Sequence, residues 1–495
     1  MILPLWWAIP SVVFTIFLCR IVSAVRDPLR HIPGPFLARF TRLWLFRQYC
    51  RADYEKTDRD LHNKYGRIVR IAPRQYSIDS LDAARTIYGH GSHFTKNEWY
   101  VPWGNPALNN LFNELNPRVH SDMRRQVASV YSMSNMVSYE PYVDECTDIF
   151  AQRLSEFSDE GRVIDLGHWF QCYALDVIGK VTFSKRFGCL DAGNDPQGVL
   201  EALDEALAIS TIIGVYPRVY PSLFRISKYL GSGKEPRGNA YIVKFATEQV
   251  AASRVEEKPK DGPQDFISKL LQIQAERPET IDEATIETAG NTNVAAGSDT
   301  TAISLSAIVY YLCRNPRTLQ KLREELDDAD AKGLISNPIT FREAQALPYL
   351  QAVIKESLRL HPATGLTMPR VVPEGGRQLA GSFFPAGNVV GINAWTAHHN
   401  KEVFGYDADE FRPERWIDSS KAQKSAMESY SFAFGQGSRT CIGKNISLLE
   451  VSKAIPRMVQ NFDVILEKED DWKCTNYWFV KPRDFFVRVK RRGSY

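Results

Sequence analysis

The stretch Phe434-Gly435-Gln436-Gly437-Ser438-Arg439-Thr440-Cys441-Ile442-Gly443 decides how the rest of the chain is read. Glycines, a serine and a glutamine make a flexible polar loop, and over residues 442–455 apolar residues recur with helical spacing. Cys441 is thereby placed at a helix N-terminus. Unpaired backbone N–H groups and the positive end of the helix dipole lower a thiol's pKa there and favour the thiolate, the form that nucleophiles and metal ligands need. Gly437 and Gly443 let the backbone approach a large group without a side chain in the way. Arg439 leaves the loop in a different direction and can pair with an anionic group beside a bound metal. A Gly-rich turn with a buried structural cysteine is the bland alternative.

The 495 residues suffice for two to four ordinary domains or one unusually large one. A composition of 44% hydrophobic and 24% charged residues is that of a globular protein. With a net charge of +3, Lys and Arg are nearly balanced by Asp and Glu, which argues against a nucleic-acid binder. The eight cysteines form no Cys-x-x-Cys pair, and they read as mostly buried single thiols in a reducing compartment, with Cys441 the working member.

Residues 2–19 carry no charge, and counting on through Arg20, which can snorkel, to residue 25 gives the length of a bilayer span. The reading is a transmembrane helix with basic residues Arg20, Arg26 and Arg30 after it, which puts the bulk of the protein in the cytosol. A cleaved signal peptide is the rival, disfavoured by the lack of a basic leader. His31-Ile32-Pro33-Gly34-Pro35 then reads as a stiff hinge. The division is an anchor over 1–25, a hinge over 26–40 and a catalytic domain over 41–495. Arg39, Arg42 and Arg47, interleaved with Phe40, Leu43, Trp44 and Leu45, suit either lipid headgroups or an ordinary first helix.

Alternation over residues 66–78 predicts a β-hairpin closed by Pro73-Arg74. The irregular aromatic segment 94–117 is long enough to be functional. Thr280-Ile281-Asp282-Glu283 reads as a capping box that opens a helix running to about Leu312. Inside that helix lies Ala296-Gly297-Ser298-Asp299-Thr300-Thr301, a cluster of mediocre helix formers that predicts local distortion, a Gly beside a back-bonding Thr opening the helix to a small ligand. Glu356 and Arg359 share a helix face, and Arg415 supplies a second arginine in Phe411-Arg412-Pro413-Glu414-Arg415-Trp416. Pro369-Arg370 introduces a strand reading Val371-Val372, Pro456 should end or kink the last helix, and Asn476-Tyr477-Trp478-Phe479 reads as a turn.

In order and spacing these landmarks resemble the cytochrome P-450 family over essentially the whole chain, and the wording around the hinge, Arg370 and the final helix resembles its fungal microsomal, pisatin demethylase-like group. Phe434, Gly437, Arg439, Cys441 and Gly443 stand at the spacing of the family's heme-binding loop. Five fixed identities arise by chance in a chain of this size on the order of once in ten thousand sequences. The resemblance implies a mainly α fold with small β-sheets (α+β), carrying heme b with Cys441 as the axial thiolate ligand to iron. It implies that Asp299 is the catalytic acid and Thr300 the hydroxyl that contacts dioxygen. His120 and Arg124, with Arg125 as the alternative, and Arg370 and Arg439 would contact the heme propionates. His398 would lie near the heme, Phe434 would shield the thiolate, and Glu356, Arg359 and Arg415 would form a structural network behind the loop. Residues 216–221 fall where relatives carry a lid over the substrate channel, and the aromatic segment, residues 364–368 and the 476–479 turn would line the pocket.

The implied enzyme is a monooxygenase that inserts one oxygen atom from O2 into a hydrophobic small molecule of fungal secondary metabolism. Its electrons would come from NADPH through a cytochrome P-450 reductase on the endoplasmic reticulum membrane, with cytochrome b5 as a second donor. Arg124, Arg125, Lys444 and Lys453 form a candidate docking patch, which a solvated surface explains equally well. A heme-thiolate isomerase, dehydratase or peroxide-using enzyme is one alternative, and a non-catalytic heme sensor or carrier another.

Overall fold

The computed structural model describes residues 5–104, 109–229, 237–255, 264–468 and 472–493. Lys258-Pro259-Lys260-Asp261-Gly262-Pro263, read as a solvated loop, lies outside them. The first helix, α1 (Leu5–Val25), occupies the segment read as a membrane anchor. Residues 1–4 and many of its side chains are outside the described residues, and among the described residues no helix is long and apolar enough to cross a membrane.

Two apolar cores organise the remainder. One is helical, built from α2 (Pro117–Val127), α3 (Met133–Glu160), α4 (Leu166–Phe183), α5 (Cys189–Ala192), α6 (Val199–Ile213), α7 (Glu283–Arg314), α8 (Pro348–Leu360) and α9 (Lys444–Asn461). Its axis is α7, 32 residues and about 48 Å at 1.5 Å per residue, packed along α4. The N-terminus is capped by Asp282, whose carboxylate accepts from the Thr285 N–H at 2.8 Å. The cap therefore sits two residues beyond the predicted Thr280. At the other end Asn315-Pro316 closes the helix, because the residue before a proline is driven out of the α region. In α9 the helix passes through Pro456 and continues to Asn461, so of the expected end or kink at Pro456 the end is not found.

The second core lies under a five-stranded sheet of β1 (Ile68–Ala72), β2 (Gln75–Ile78), β3 (Thr95–Lys96), β4 (Arg370–Val371) and β5 (Val389–Gly391), in the order β1-β2-β5-β4-β3. The predicted hairpin is β1 and β2, paired antiparallel with Ile68 opposite Ile78. β2 and β5 run parallel, while β4 pairs antiparallel with both β5 and β3. A separate hairpin joins β6 (Lys473–Tyr477) to β7 (Phe479–Arg483) with Trp478 at its tip, at φ 79° in the left-handed region. The Trp478 ring is held there against Trp99, Tyr100, Trp103 and Phe112, with centroids 5.2–6.2 Å away. The cysteine loop spans the seam between the cores. Phe432 belongs to the sheet core, whereas Phe434 and Ile442 pack against the helical one.

Candidate functional site

The loop's conformation is set by backbone contacts. The Cys441 N–H donates to the Phe434 carbonyl at 2.7 Å, and the Thr440 hydroxyl donates to the same oxygen at 3.1 Å, closing the turn. Gly437 sits at φ +62°, and a Cβ there would lie 1.8 Å from the Tyr88 carbonyl oxygen, so no other residue fits. Gly443, the N-cap of α9, differs: a Cβ there would meet nothing within 4 Å. The backbone beside Cys441 is thus open to a broad group on that side.

Cys441 itself lies three residues before α9 begins at Lys444. Cys441 is exposed, while many protein atoms surround its sulfur, with the Arg124 and Lys444 charges beside it. Burial pushes the thiol up, and this outweighs the Gly443 and Lys444 N–H groups and the Arg124 and Lys444 charges, all of which pull it down. The expectation of a lowered pKa therefore fails for the free thiol, because desolvation exceeds the helix-end effect.

Around the loop the fold gathers cations. Arg124, on α2, donates to the Thr440 carbonyl at 2.9 Å. Arg439 reaches the Glu114 carbonyl at 2.7 Å, and Arg370, buried on β4, bonds the Tyr100 hydroxyl at 3.2 Å. Lys96, on β3, joins them with its ammonium 4.4 Å from the Tyr100 ring centroid and 4.6 Å from that of Phe112. Burial, then the Arg370 and Arg439 charges, hold Lys96 well below the ordinary lysine range, and burial and Arg370 hold Arg439 down to about 10. His120, buried on α2, is pushed down to about 3 by burial and by the charges of Arg439, Lys96, Arg124 and Arg370. Burial favours the neutral forms of His120 and Lys96, and the buried Glu114 carboxylate offsets part of the remaining charge, so an added anion would favour the charged forms. Arg125 lies outside it, exposed and paired with Asp122 at 3.2 Å. Lys96 was missed in the sequence because its place in the aromatic segment 94–117 gave it no helical partner to point to it.

On α7, Asp299 and Thr300 diverge. The Thr300 hydroxyl donates to the Ala296 carbonyl one turn earlier at 2.8 Å, on the face where Ala295 and Ala296 are exposed. Asp299 is buried: Oδ1 accepts from Gln171 of α4 at 3.0 Å, and Oδ2 lies 2.6 Å from Lys481 of β7 as an ion pair without hydrogen-bond alignment. Lys481 also pairs with Asp204 of α6, which Arg483 contacts at 3.1 Å. The helix runs without a break through the cluster, so the expected opening is not seen as an interruption of α7. Gly297 serves packing instead, since its Cβ would fall 2.9 Å from Ile178 of α4. Next in the sequence, Thr301 donates to Ser447 of α9 at 3.2 Å and ties α7 to the helix that follows the loop.

Glu356, Arg359 and Arg415 do come together, all fully buried. Arg359 grips Glu356 with two bonds of 2.8 and 2.9 Å, and Arg415 adds one of 2.8 Å. Trp416 Nε1 and the Arg412 N–H complete the carboxylate's partners at 2.9 and 3.0 Å. His398 belongs to this assembly and not to the cation cluster, which corrects its assignment. One ring nitrogen bonds the Arg359 carbonyl at 2.8 Å and the other accepts from the Phe432 N–H at 2.7 Å, so neither is free to reach a ligand. Lys453 is likewise no surface cation; it is buried between Glu140 and Asp144 at 3.3 and 2.8 Å.

The family model of cytochrome P-450 matches residues 33–487. The chain belongs to the cytochrome P-450 family. A pisatin demethylase of Fusarium vanettenii is 44% identical over 95% of this chain and 90% of its own length. The cytochrome P-450 monooxygenase gsfF of Penicillium aethiopicum is 37% identical over 94% of each chain, and cicH of Emericella nidulans 35% over 95% of each. The chain is therefore a heme-thiolate monooxygenase of the pisatin demethylase-like group, an oxidoreductase whose cofactor is heme with iron on a cysteine thiolate. The residues present fit that cofactor. A porphyrin's two carboxylates answer the excess of buried cations around Arg370, Arg439 and Lys96, and the open side of Gly443 leaves room for a broad planar group against the backbone.

Proposed function

We propose that Cys441 would hold the heme iron as a thiolate and that Arg124, His120, Arg370, Arg439 and Lys96 would hold the heme carboxylates. Phe434 and Gly443 flank the thiolate, and Glu356, Arg359 and Arg415 fix the loop from behind. The observation that carries this reading is the largely buried cluster of Lys96, Arg370, His120, Arg124 and Arg439 adjoining the exposed Cys441. The bound heme supplies the iron at which dioxygen is activated. The chain's own residues bind, orient and deliver protons: Thr300 Oγ1, freed from the Ala296 carbonyl, presents a hydroxyl to the open face of α7, and Asp299 Oδ2 takes up and passes on a proton when it parts from Lys481. Trp99, Tyr100, Trp103, Phe112 and Trp478 exclude water and favour a hydrophobic substrate.

The substrate class is a hydrophobic small molecule of fungal secondary metabolite biosynthesis, with oxidative removal of a methyl group as the first reaction to test, by similarity to the pisatin demethylases. Electrons come from NADPH through a reductase, with cytochrome b5 as a second donor. Residues 1–25 anchor the protein in the endoplasmic reticulum membrane, 26–40 form the hinge and 41–495 the catalytic domain. Phe14, Leu18 and Val22, exposed at four-residue spacing along α1, support the anchor, as do the exposed Phe36 and Leu37 after it. The test is the carbon monoxide difference spectrum of the reduced protein. Cys441→Ser should abolish the thiolate-type band, and a variant that keeps it refutes the assignment. Turnover of pisatin with reductase and NADPH, read as formaldehyde release, is the first substrate assay.

A further inference from the structure

Lys481 of β7 lies between carboxylates from two helices and does not serve them equally. Its buried ammonium gives a hydrogen bond to Asp204 Oδ1 of α6. Asp299 Oδ2 of α7 lies 2.6 Å from the same nitrogen but outside hydrogen-bond alignment, so it is buried and ion-paired yet receives no hydrogen bond. The other Asp299 oxygen keeps the Gln171 amide at 3.0 Å. Arg483 holds Asp204 Oδ2 at 3.1 Å, and although burial pushes Asp204 up, the Lys481 and Arg483 charges keep it below the ordinary carboxylate range. Two cations therefore face two carboxylates, and the oxygen left without a donor is on Asp299. A carboxylate oxygen held by charge alone takes up a proton more readily than one that also receives a charge-assisted hydrogen bond.

Two elements can change this division, and both end on the aromatic cluster assigned to the substrate. α6 carries Asp204 and, further along, Ser210, whose hydroxyl donates to the Pro102 carbonyl at 2.9 Å. Gly214, just past α6, is so close to Trp99 that a Cβ there would lie 2.6 Å from the indole. The β6–β7 hairpin carries Lys481 three residues after Trp478, whose ring centroid stands 5.2 Å from that of Trp99. A molecule bound against Trp99 thus bears on how near Asp204 comes to Lys481. The Asp204 side chain is one-third exposed, so withdrawal of α6 delivers it to water, whereas Asp299 is enclosed and stays beside the ammonium.

We infer that Asp204 and Lys481 are positioning residues for proton delivery: Asp204, carried in by α6, draws the Lys481 hydrogen bond to itself and leaves Asp299 Oδ2 ready to accept a proton. With α6 withdrawn, the ammonium turns onto Asp299 and holds it. Proton delivery is then confined to the state in which α6 is seated over a substrate. This coupling rests on the reading of Asp299 as a proton relay.

Urea midpoints of the full-length protein, Asp204→Asn, Asp299→Asn and the double variant, followed by far-UV ellipticity, test the shared ammonium without reference to activity. Each single variant leaves Lys481 one carboxylate and should lower the midpoint modestly; the double variant strands it and should fall by more than the sum. Additive midpoints overturn the proposal. NADPH oxidation by the heme-loaded protein with a cytochrome P-450 reductase tests the direction. Asp204→Asn should slow it by about tenfold and raise its solvent deuterium isotope effect, because proton uptake at Asp299 Oδ2 must now break a charge-assisted hydrogen bond. Asp204→Glu should restore both. If Asp299→Asn slows NADPH oxidation while Asp204→Asn leaves the rate and isotope effect unchanged, the relay stands and the part given to Asp204 is refuted. If Asp299→Asn changes neither, the relay reading fails and the coupling with it, and midpoints that still fall by more than the sum would mark a shared ammonium with no part in the reaction.

Discussion

Lys481→Met keeps the length of a buried side chain and deletes its charge, and so isolates the ion pair that restrains Asp299. Asp299 is 1% exposed, and without Lys481 it keeps only the Gln171 amide at 3.0 Å. Removing one partner of a buried pair costs about 3–5 kcal/mol, because the other charge is left without compensation. Asp204, the second partner, has a side chain 33% exposed and retains Arg483 at 3.1 Å, so its share is about 0–1 kcal/mol. The expected loss is about 3 kcal/mol and belongs almost wholly to Asp299. Asp299→Asn alone leaves Lys481 on Asp204 and should cost about 1–2 kcal/mol. In the double variant no buried charge is orphaned, so it should be about as stable as Asp299→Asn, a coupling of about 2–3 kcal/mol. Urea midpoints for the four proteins of the cycle, followed by far-UV ellipticity at matched slopes, measure it. Additivity to within about 0.5 kcal/mol would refute the pairing.

Gly437→Ala should destabilise the fold and abolish the carbon monoxide band, whereas Gly443→Ala should keep the ellipticity and lose heme occupancy, since its methyl group enters the space beside Cys441 without touching protein; equal behaviour of the two would contradict the loop geometry. Glu356→Gln strands the buried Arg359 guanidinium, while Arg415 keeps Asp407 at 3.0 Å, and is expected to cost about 3–5 kcal/mol, seen as little soluble protein and a lowered melting temperature. His361 and His398 are held neutral by burial, down to about 4 and about 3. Their pKa values are depressed relative to the unfolded chain, so protonation favours unfolding. Stability is full above pH 6.5 and declines as pH falls toward 4, by up to about 1.4 kcal/mol per histidine per pH unit. His120 and His399 are held down in the same way, each to about 3, so His398→Gln should remove about a quarter of that slope, and an unchanged slope counts against the assignment.

Much of the site was legible because its residues are spaced by secondary structure. A helix puts Glu356 and Arg359 on one face and Asp299 beside Thr300, and turn residues isolate Cys441. What could not be read is set by tertiary neighbours. Gly297 looked like a break in α7 until Ile178 was seen against it, and Lys453 looked like surface charge until Glu140 and Asp144 enclosed it. Lys481 is about 180 residues from Asp299 in sequence, with no period to connect them. The thiol failed for a different reason: the helix-end argument held in direction, but desolvation, which depends on everything packed around Cys441, was larger.

The misplaced His398 shows how the Glu356 network can govern a loop more than seventy residues further on. Glu356 fixes the Arg359 guanidinium, whose Nη1 donates to the His398 carbonyl at 2.7 Å, while the Arg359 carbonyl receives the His398 ring. The other ring nitrogen accepts the Phe432 N–H, and two residues later the Phe434 carbonyl accepts the Cys441 N–H. Each link from Arg359 onward ends on backbone, so each fixes a main-chain position rather than a side-chain preference. This requires His398 to be neutral, with one nitrogen donating and the other accepting, as its burial enforces. A cation there would lose the acceptor for Phe432, and a shorter side chain would lose the span. The position that resembled a cofactor contact therefore acts one step removed, by holding the strand of loop from which Cys441 hangs.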